Sequence, residues 1–305
     1  MGPIGVIGLG NMGGGIAATL LKRGWAVVAF DLDPGRVAAA EALGARPAAD
    51  CAALAAECDA VLTFLPMAPS QPVLERTVLG DGGLVDHLRP GACVIDCGNT
   101  SPTLTRTLGA ALKERGLDFI DAPISGGPQG AQAGTATAMV GGADAVVDKW
   151  RPLLEAIGAR YQYFGGIGAG QMAKLCNNIL VAANLAALSE VLVFAERNEI
   201  DIAKLVEMIS ESAGGSWVLD NYGREIIARQ GREEDVGPRL EYSRDRQLFW
   251  ALEMADRQDI PLSMTGQAHK LFMMARGLNK RGSCEPIVEM LEDMTGADVV
   301  AEKRT

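Results

Sequence analysis

The sequence predicts an α/β domain with a parallel sheet, followed by an all-α domain. In the first half, short apolar segments alternate with longer amphipathic ones, a pattern typical of βαβ units. The predicted strands are Ile4–Ile7, Ala26–Phe30, Ala60–Phe64, Cys93–Asp96, Asp118–Asp121, Ala138–Val140 and Tyr161–Phe164. The main helices predicted between them are Gly14–Arg23, Pro34–Leu43 and Thr103–Arg115.

The pattern changes at a glycine cluster, residues 165–170, which predicts a turn. Strand signals are nearly absent beyond it, and the sequence predicts a series of helices. These are Gln171–Arg197, Ile202–Ser210, Asp245–Arg257 and Thr265–Arg276. We therefore place the domain boundary near residue 165, with an α/β domain over 1–165 and an all-α domain over 166–305. The first long helix is expected to join the two domains.

Composition argues against several classes of partner. The chain has 305 residues and a formal net charge of −10, whereas nucleic-acid binding requires a basic face. We find no uninterrupted apolar run of about 18 residues, so no membrane segment is expected. The six cysteines form no C-x-x-C pair, and no leader precedes the first strand, which predicts reduced thiols in a cytoplasmic protein. The two histidines, His87 and His269, are far apart, and no metal site is expected.

A G-x-G-x-x-G element follows the first predicted strand and opens the first helix. It reads Gly8-Leu9-Gly10-Asn11-Met12-Gly13. In such an element the first glycine permits a tight turn, the second lets the backbone approach a pyrophosphate, and the third lets helix and strand pack closely. The phosphates then lie on N–H groups at the positive end of the helix dipole. In this context the element predicts a dinucleotide-binding Rossmann domain.

The second predicted strand leads into Asp31, which lies 18 residues after Gly13. A carboxylate at this position can accept hydrogen bonds from both hydroxyls of the adenosine ribose, and it would repel a 2′-phosphate. The residues directly after it, 32–34, include no arginine. These observations favour NAD as the cofactor and make NADP the weaker alternative.

Two further segments contain groups suited to binding and converting an acid. Ser125, Gly126 and Gly127 follow a predicted strand, and the glycine N–H groups could hold a carboxylate; a turn without a ligand is the alternative. Lys174 and Asn178 are four residues apart, so they share a face of the long helix. A partly buried lysine there could act as general acid or base on a hydroxyl/carbonyl couple. The alternative is a lysine that extends into solvent from the start of the helix.

With these three segments in this order, the chain resembles the β-hydroxyacid dehydrogenases. This is the family of 3-hydroxyisobutyrate dehydrogenase and tartronate semialdehyde reductase, with 6-phosphogluconate dehydrogenase as a larger relative. The third motif reads Gly168-Ala-Gly-Gln-Met-Ala-Lys174-Leu-Cys-Asn-Asn178, and the likeness extends from Ile4 to about residue 290. The resemblance implies an NAD(P)-dependent oxidoreductase that interconverts a small β-hydroxy acid and its semialdehyde, assembled as a homodimer or homotetramer.

The resemblance also implies roles for individual residues. Lys174 would be the general acid/base, and Asn178 would help to orient the substrate. Ser125, Gly126 and Gly127 would hold the substrate carboxylate. The residues implied to contact or lie near the cofactor, beyond the glycine motif and Asp31, are Leu65, Pro66, Ser70 and Asn99.

This chain departs from its relatives at two places. Asn99 stands where many relatives have a threonine near the nicotinamide, and it would replace that polar contact. Relatives also have a Lys-Asp pair before a helix that lines the active site. Counting back from Ala251 puts that lysine on Arg246 and the aspartate on Gln247, whereas a register shifted by two residues puts the lysine on Arg244. In both registers an arginine, which binds anions through two parallel hydrogen bonds, replaces the lysine; a solvated arginine is the alternative.

Other functions stay open from the sequence. One is a reductase for a more anionic aldehyde acid, recognised by Arg244 or Arg246. Another is a non-catalytic nucleotide-binding or reader protein. An imine reductase is less favoured, because that branch typically lacks a lysine at the position of Lys174. A histidine-based, lactate-type dehydrogenase is disfavoured, because neither histidine lies in a motif. Trp217 is interpreted either as a core side chain or as part of the pocket wall.

Overall fold

The computed structural model describes residues 2–66, 73–228, 241–278, 280 and 286–299. The chain divides into two compact units, Met1–Lys174 and Leu175–Thr305. The first contains a nine-stranded sheet, and every regular element described in the second is helical. The predicted fold class is confirmed: a Rossmann-like α/β domain leads through a long helix into a helical domain. The boundary between the units lies at Lys174, later in the chain than residue 165.

Nine strands form the sheet of the first unit. They are β1 (Ile4–Ile7), β2 (Val27–Phe30), β3 (Arg46–Pro47), β4 (Ala60–Thr63), β5 (Cys93–Asp96), β6 (Asp118–Asp121), β7 (Ile124–Ser125), β8 (Thr137–Gly142) and β9 (Arg160–Gly165). Their order is β3-β2-β1-β4-β5-β6-β8-β7, and β9 pairs with β8. Strands β3 to β6 along this path are parallel, whereas β8 runs antiparallel to β6 and β7. Strands β3 and β7 were not predicted from the sequence, because a two-residue strand shows no periodicity.

Helices cover both faces of this sheet. They are α1 (Asn11–Lys22), α2 (Pro34–Ala42), α3 (Cys51–Glu57), α4 (Val73–Leu79), α5 (Leu84–His87), α6 (Pro102–Glu114), α7 (Gly127–Ala133) and α8 (Asp144–Ala156). Helix α1 begins at Asn11, not at Gly14, because the end of the glycine motif forms its first turn. The side chains of Asp33 and Ser101 cap α2 and α6, and each helix starts with a proline, whose fixed φ suits that position.

The central strands are buried on both faces, which explains their continuous apolar sequences. Val6, Leu62 and Ile95 pack in the apolar layer that also contains residues of α1 and α8. Val61 and Val94 point to the opposite layer, which contains residues of α3, α5 and α6. Neighbouring residues therefore face opposite layers, as the pleat of a strand requires.

The second unit is built from helices around its own core. Its described elements are α9 (Ala169–Arg197, whose first residues belong to the first unit), α10 (Ile202–Ser210), a π-helical turn (Leu219–Gly223), α11 (Arg224–Ile227), α12 (Glu241–Asp256), α13 (Ser263–Gly277) and α14 (Pro286–Thr295). Leu185, Leu192, Ile287 and Met290 are completely buried in this core. Helix α12 begins four residues before the predicted Asp245.

Helix α9 is long and apolar enough, by length and composition alone, to cross a membrane, with a mean hydropathy of 1.8 over its most apolar window. No such segment was predicted from the sequence, because polar residues interrupt its apolar run. Core helices of globular proteins meet the same criterion, and Leu185, Ser189 and Leu192 are completely buried within the second unit. Core packing therefore accounts for part of the hydropathy of α9, while Leu180 and Phe194 on the same helix are exposed.

Asp121, the last residue of β6, fixes the position at which α9 begins. Its carboxylate is completely buried and accepts hydrogen bonds from the N–H groups of Gly168, at 2.7 Å, and Gln171, at 2.8 Å. These are donors that the start of a helix leaves without partners inside the helix. A Cβ on Gly141 would lie only 2.6 Å from Asp121 Oδ1, so glycine is needed beside the carboxylate. The sheet edge thereby determines the start of the helix that carries Lys174.

We expect Asp121→Asn to lower the free energy of unfolding by on the order of 2 kcal/mol, because the amide replaces one acceptor by a donor facing an N–H group. Asp118→Asn, at the other end of β6, is the matched control. It removes an ion pair with Lys149, 2.6 Å long and partly solvent-exposed, and should cost less than about 1 kcal/mol. Urea unfolding at pH 7, followed by circular dichroism, measures both; equal losses would contradict the capping role of Asp121.

Candidate active site

The glycine motif has the geometry of a phosphate-binding turn. Gly8 has a φ of +88°, and its N–H donates to the carbonyl of Phe30 at 2.9 Å. A Cβ on Gly8 would overlap the carbonyl of Phe64, and one on Gly13 would overlap the carbonyl of Gly8. Around Gly10, by contrast, the nearest atom to an added Cβ is Arg36 Nη1 at 3.7 Å. The first and third glycines are thus required by packing, whereas the second borders open space, where a pyrophosphate would fit.

The other residues of the motif differ in exposure. Leu9 is buried, Met12 is half-buried and Asn11 is exposed. Gly10 is the residue before the first turn of α1, and no side chain caps this helix start. The N–H groups of the first turn are therefore left for another acceptor, as anion binding at a helix start requires.

Asp31 follows β2 and lies beside this turn. Its carboxylate accepts hydrogen bonds from the N–H groups of Leu9, at 2.6 Å, and Asp33, at 2.8 Å. Arg36 Nη1 lies 3.6 Å from the same carboxylate. Arg36 lies beyond the residues directly after Asp31 and was not predicted from the sequence; α2 brings it back toward Asp31. This edge therefore contains both a carboxylate, which suits the ribose hydroxyls of NAD, and a guanidinium, which suits a 2′-phosphate.

Three more predicted cofactor residues follow β4 and β5 in the chain. Leu65 is half-buried, Pro66 is exposed, and Asn99 is half-buried. Because β1, β4 and β5 are adjacent and parallel, the segments after them lie at the same edge of the sheet as the glycine motif. Ser70 lies outside the described residues.

A buried carboxylate, Asp96, organises this edge. It is the last residue of β5, and it accepts hydrogen bonds from Thr63 Oγ1 at 3.1 Å, Thr100 Oγ1 at 2.6 Å, the Gly98 N–H at 3.1 Å and Gln171 Nε2 at 3.2 Å. Burial raises the pKa of Asp96 to about 6, although the hydrogen bonds from Thr100, Gly98 and Thr63 lower it. This cluster was not predicted from the sequence, where its signal is an acid at the end of a strand of apolar residues.

Gln171 joins this carboxylate to the helix that carries Lys174. Besides its bond to Asp96, its side chain donates to the Gly98 carbonyl at 2.8 Å and accepts from the Thr100 N–H at 3.1 Å. The side-chain amide is therefore fully engaged with the loop after β5. Lys174 lies three residues further along α9 and is half-buried.

The predicted carboxylate-binding segment forms a sharp turn. Ser125 is half-buried in β7, and Gly126 and Gly127 are exposed. Both glycines have positive φ, +120° and +64°, a region that other residues rarely adopt. No atom lies within 4 Å of a Cβ added to Gly127. The turn therefore presents open backbone, as the prediction of a carboxylate site requires.

In the second unit, the two arginines proposed as anion ligands have different surroundings. Asn178 Nδ2 donates to Gln247 Oε1, and Gln247 is buried. Arg244 lies three residues before Gln247 and therefore on the same face of α12; its Nη2 donates to Tyr222 Oη at 3.0 Å. Arg246 is exposed, and its Cζ lies 5.7 Å from the centroid of the Phe249 ring. Arg244 therefore lies on the face of α12 that contacts Asn178 through Gln247, whereas Arg246 lies on a different face.

Two other features complete the second unit. Asp245 is buried, forms an ion pair with Arg276, and its Oδ1 lies 2.7 Å from His269 Nε2. Trp217 is 59% exposed, so its interpretation as a core side chain is wrong. Over the described ranges, no three histidine, cysteine or acidic side chains are grouped closely enough to hold a metal ion.

The buried Asp96 predicts a pH-dependent stability. In the unfolded chain this carboxyl ionises near pH 4, and in the native protein near pH 6, so the native state binds the extra proton between these values. Its contribution to stability is present below pH 4 and is lost as pH rises through 6. We expect the free energy of unfolding of the wild type, relative to Asp96→Asn, to fall by roughly 3 kcal/mol between pH 4 and 7. Denaturant titrations at four pH values test this; a constant difference would contradict it.

The glycine geometry predicts opposite effects of two alanine substitutions. Gly13→Ala should cost more than about 3 kcal/mol of stability, because the new Cβ overlaps backbone. Gly10→Ala should change stability by less than about 1 kcal/mol and should weaken dinucleotide binding at least tenfold, because it fills the space beside the turn. Thermal unfolding and calorimetric titration with NAD separate the two effects. Full NAD affinity in Gly10→Ala would argue against a phosphate at this turn.

Comparison with known proteins agrees with this geometry. Residues 3–166 match the NAD-binding domain of 6-phosphogluconate dehydrogenase, and residues 168–290 match the NAD-binding domain of NADP-dependent 3-hydroxyisobutyrate dehydrogenase. The chain is 35% identical over 297 residues, 97% of each chain, to 2-(hydroxymethyl)glutarate dehydrogenase of Eubacterium barkeri. It is 41% identical over 222 residues, 73% of this chain and 74% of the relative, to NAD-dependent L-serine dehydrogenase of Pseudomonas aeruginosa.

The fold also matches a solved structure over nearly the whole chain. A 3-hydroxyisobutyrate dehydrogenase from Salmonella typhimurium superposes with a TM-score of 0.84 at 25% identity, and the match covers 95% of this chain and 100% of that one. The resemblance predicted from three sequence motifs is therefore confirmed. The chain belongs to the 3-hydroxyisobutyrate dehydrogenase family of NAD(P)-dependent β-hydroxyacid dehydrogenases, which act on CH–OH groups.

Proposed function

We propose that this protein uses Lys174 as the general acid/base to interconvert a small β-hydroxy acid and its semialdehyde, with NAD as the preferred cofactor. The observation that carries the proposal is the position of Lys174. It is half-buried and lies three residues after Gln171, whose side chain is bound to the carboxyl edge of the sheet. The glycine motif opens at that same edge. A proton-transferring group is thus held where the first unit would bind its cofactor.

The bound cofactor would supply the hydride acceptor for oxidation. In that direction Lys174, as the neutral amine, takes the proton of the substrate hydroxyl, while a hydride leaves the carbon that carries this hydroxyl. In reduction, the Lys174 ammonium returns the proton to the carbonyl oxygen. The turn of Ser125, Gly126 and Gly127 would bind the carboxylate, and Asn178, on the same face of α9 as Lys174, would orient the reacting oxygen.

The preference for NAD rests on Asp31. Its two oxygens already accept N–H groups at the end of β2, so the carboxylate is fixed where the ribose hydroxyls would arrive. Arg36 is held partly by Asp31 and partly by Asp33, at 3.6 and 3.4 Å, and these two acids compete with a 2′-phosphate for it. A relative named as NAD-dependent, the L-serine dehydrogenase, is compatible with this preference.

We also propose a homodimer or homotetramer. Leu180 and Phe194 on α9 are 65% and 72% exposed, and large exposed apolar side chains are found at interaction surfaces. The predictions of a cytoplasmic location and of no nucleic-acid or membrane partner stay predictions.

Lys174→Ala should lower kcat at least about 10³-fold, because proton transfer loses its donor and acceptor. The Kd for NAD should change less than about threefold, because in the proposed site Lys174 acts on the substrate and does not bind the cofactor. Absorbance at 340 nm, with 3-hydroxyisobutyrate, L-serine, L-threonate and 3-hydroxypropionate as substrates, measures kcat with NAD and with NADP. We expect the faster rates with NAD.

The matched control is Lys113→Ala, an exposed lysine on α6, which should retain wild-type rates. Loss of NAD binding in Lys174→Ala would refute the assigned role. NAD binding without turnover of any hydroxy acid would instead favour the non-catalytic nucleotide-binding alternative.

A further inference from the structure

Helices α1 and α7 of the first unit meet through their backbones, without a large side chain between them. Among the described elements, α1 is the main packing partner of α7. A Cβ added to the buried Gly15 would lie 3.0 Å from both the carbonyl carbon of Ala131 and the backbone nitrogen of Gln132. Thr19, one turn later on α1, donates from Oγ1 to the Ala131 carbonyl at 3.1 Å. The distance between the two helices is therefore fixed by close backbone contact and by one buried hydrogen bond.

The two helices run in the same direction and begin side by side. Gly15 is the fifth residue of α1, and Ala131 is the fifth residue of α7. Thr19, further along α1, also lies beside Gly134, which ends α7: a Cβ on that glycine would lie 3.4 Å from Thr19 Cγ2. Because an α-helix rises about 1.5 Å per residue, both helices begin at a similar distance before the contact.

The turns that precede these two helices both face open space. Gly10 precedes α1 and Gly126 precedes α7, and no side chain caps either helix. An added Cβ would have no atom within 4 Å at Gly127 and none nearer than 3.7 Å at Gly10. The turn proposed for the cofactor phosphates and the turn proposed for the substrate carboxylate are thus neighbours within one unit.

The distance between these two turns limits the length of a substrate that can react. In the proposed reaction the carboxylate is bound at residues 125–127, while the carbon that carries the hydroxyl must lie where a hydride can pass to the cofactor. The number of carbons between these two groups has to match the spacing of the turns. A misplacement of the reacting atoms by about 1 Å can lower the rate on the order of a hundredfold.

We propose that Gly15, Thr19 and Ala131 are positioning residues that act through α7 and make the protein select a hydroxyl on the β carbon over one on the γ carbon. This inference rests on the proposed function and deepens it, because it names the contact that determines the chain length of the substrate. None of the three side chains is expected to touch the substrate.

Pairs of substrates that differ by one methylene group test the inference. 3-Hydroxypropionate and 4-hydroxybutyrate form one pair, and L-serine and L-homoserine form a second. With NAD, the wild type should have a kcat/KM at least about tenfold higher for the shorter member of a pair. Gly15→Ala and Ala131→Val should move α7 away from α1 and lower this ratio at least about tenfold. Partial unfolding cannot lower the ratio, because a smaller active fraction reduces both rates by the same factor.

Three further variants make the test specific. Thr19→Val has a similar shape but loses the hydrogen bond to Ala131, and it should lower the ratio at least about threefold. Thr19→Ser retains a hydroxyl and should keep the wild-type ratio. Leu112→Ala opens a cavity in the apolar layer on the other face of the sheet, so it should lower thermal stability and leave the ratio unchanged. NAD affinity, measured by calorimetric titration, should be as in the wild type in all five variants.

Each contrary result overturns the inference in a recognisable way. A ratio that is unchanged or raised in whichever of Gly15→Ala and Ala131→Val folds would refute it, as would an equal decrease in Leu112→Ala. A wild type that converts both members of each pair equally well, or none of the four acids, would also refute it. Turnover of 3-hydroxyisobutyrate or L-threonate in that case would leave the proposed function intact, whereas NAD binding without any turnover would refute both.

Discussion

The structure depends on the hydrogen bonds between a buried carboxylate, Asp121, and the start of α9. A helix start exposes N–H groups that need acceptors, and the two oxygens of Asp121 accept the N–H groups of Gly168 and Gln171. Burial raises the pKa of this carboxyl, while the same N–H groups lower it. These hydrogen bonds also fix the position of the residues that follow in α9, because each residue of a helix advances about 1.5 Å along its axis. Lys174, five residues after the first residue of α9, is placed by this contact.

Asp96 adds a second constraint on the same helix start. Strands β5 and β6 are neighbours, so their last residues, Asp96 and Asp121, lie side by side, and the charge of Asp121 raises the pKa of Asp96 further. The backbone N–H of Gln171 donates to Asp121, and its side-chain Nε2 donates to Asp96. Two acids near the positive end of a helix dipole are favourable, which offsets part of their desolvation. Burying the two acids costs desolvation energy, and in return their hydrogen bonds fix the position and rotation of the first turn of α9.

Much of this architecture could be predicted from sequence, because its signals are local. The glycine motif is recognisable since packing demands glycine at Gly8 and Gly13 and phosphate access demands it at Gly10. The long buried strands are recognisable from continuous apolar residues. The missing features depend on contacts between distant segments: the return of Arg36 to Asp31, and the four donors that converge on Asp96. The two-residue strands β3 and β7 are too short to show a period.

The ambiguity between Arg244 and Arg246 shows why a motif alignment alone could not define the pocket. The two residues are interchangeable in a count of positions, yet they differ by about 200° around α12. The contact between Asn178 and Gln247 distinguishes them, and it joins residues 69 apart in the chain.

The two registers also differ in charge. If Gln247 stands on the aspartate of relatives, a neutral amide replaces an anion beside Arg246, whereas Arg244 and Asp245 together keep both charges of the Lys-Asp pair. Arg244 shares a face of α12 with Gln247, which contacts Asn178, so the geometry favours the register in which both charges are kept. Asp245 is then bound by Arg276, while Arg244 lies against the Tyr222 ring; the two charges of the pair are therefore held by different neighbours.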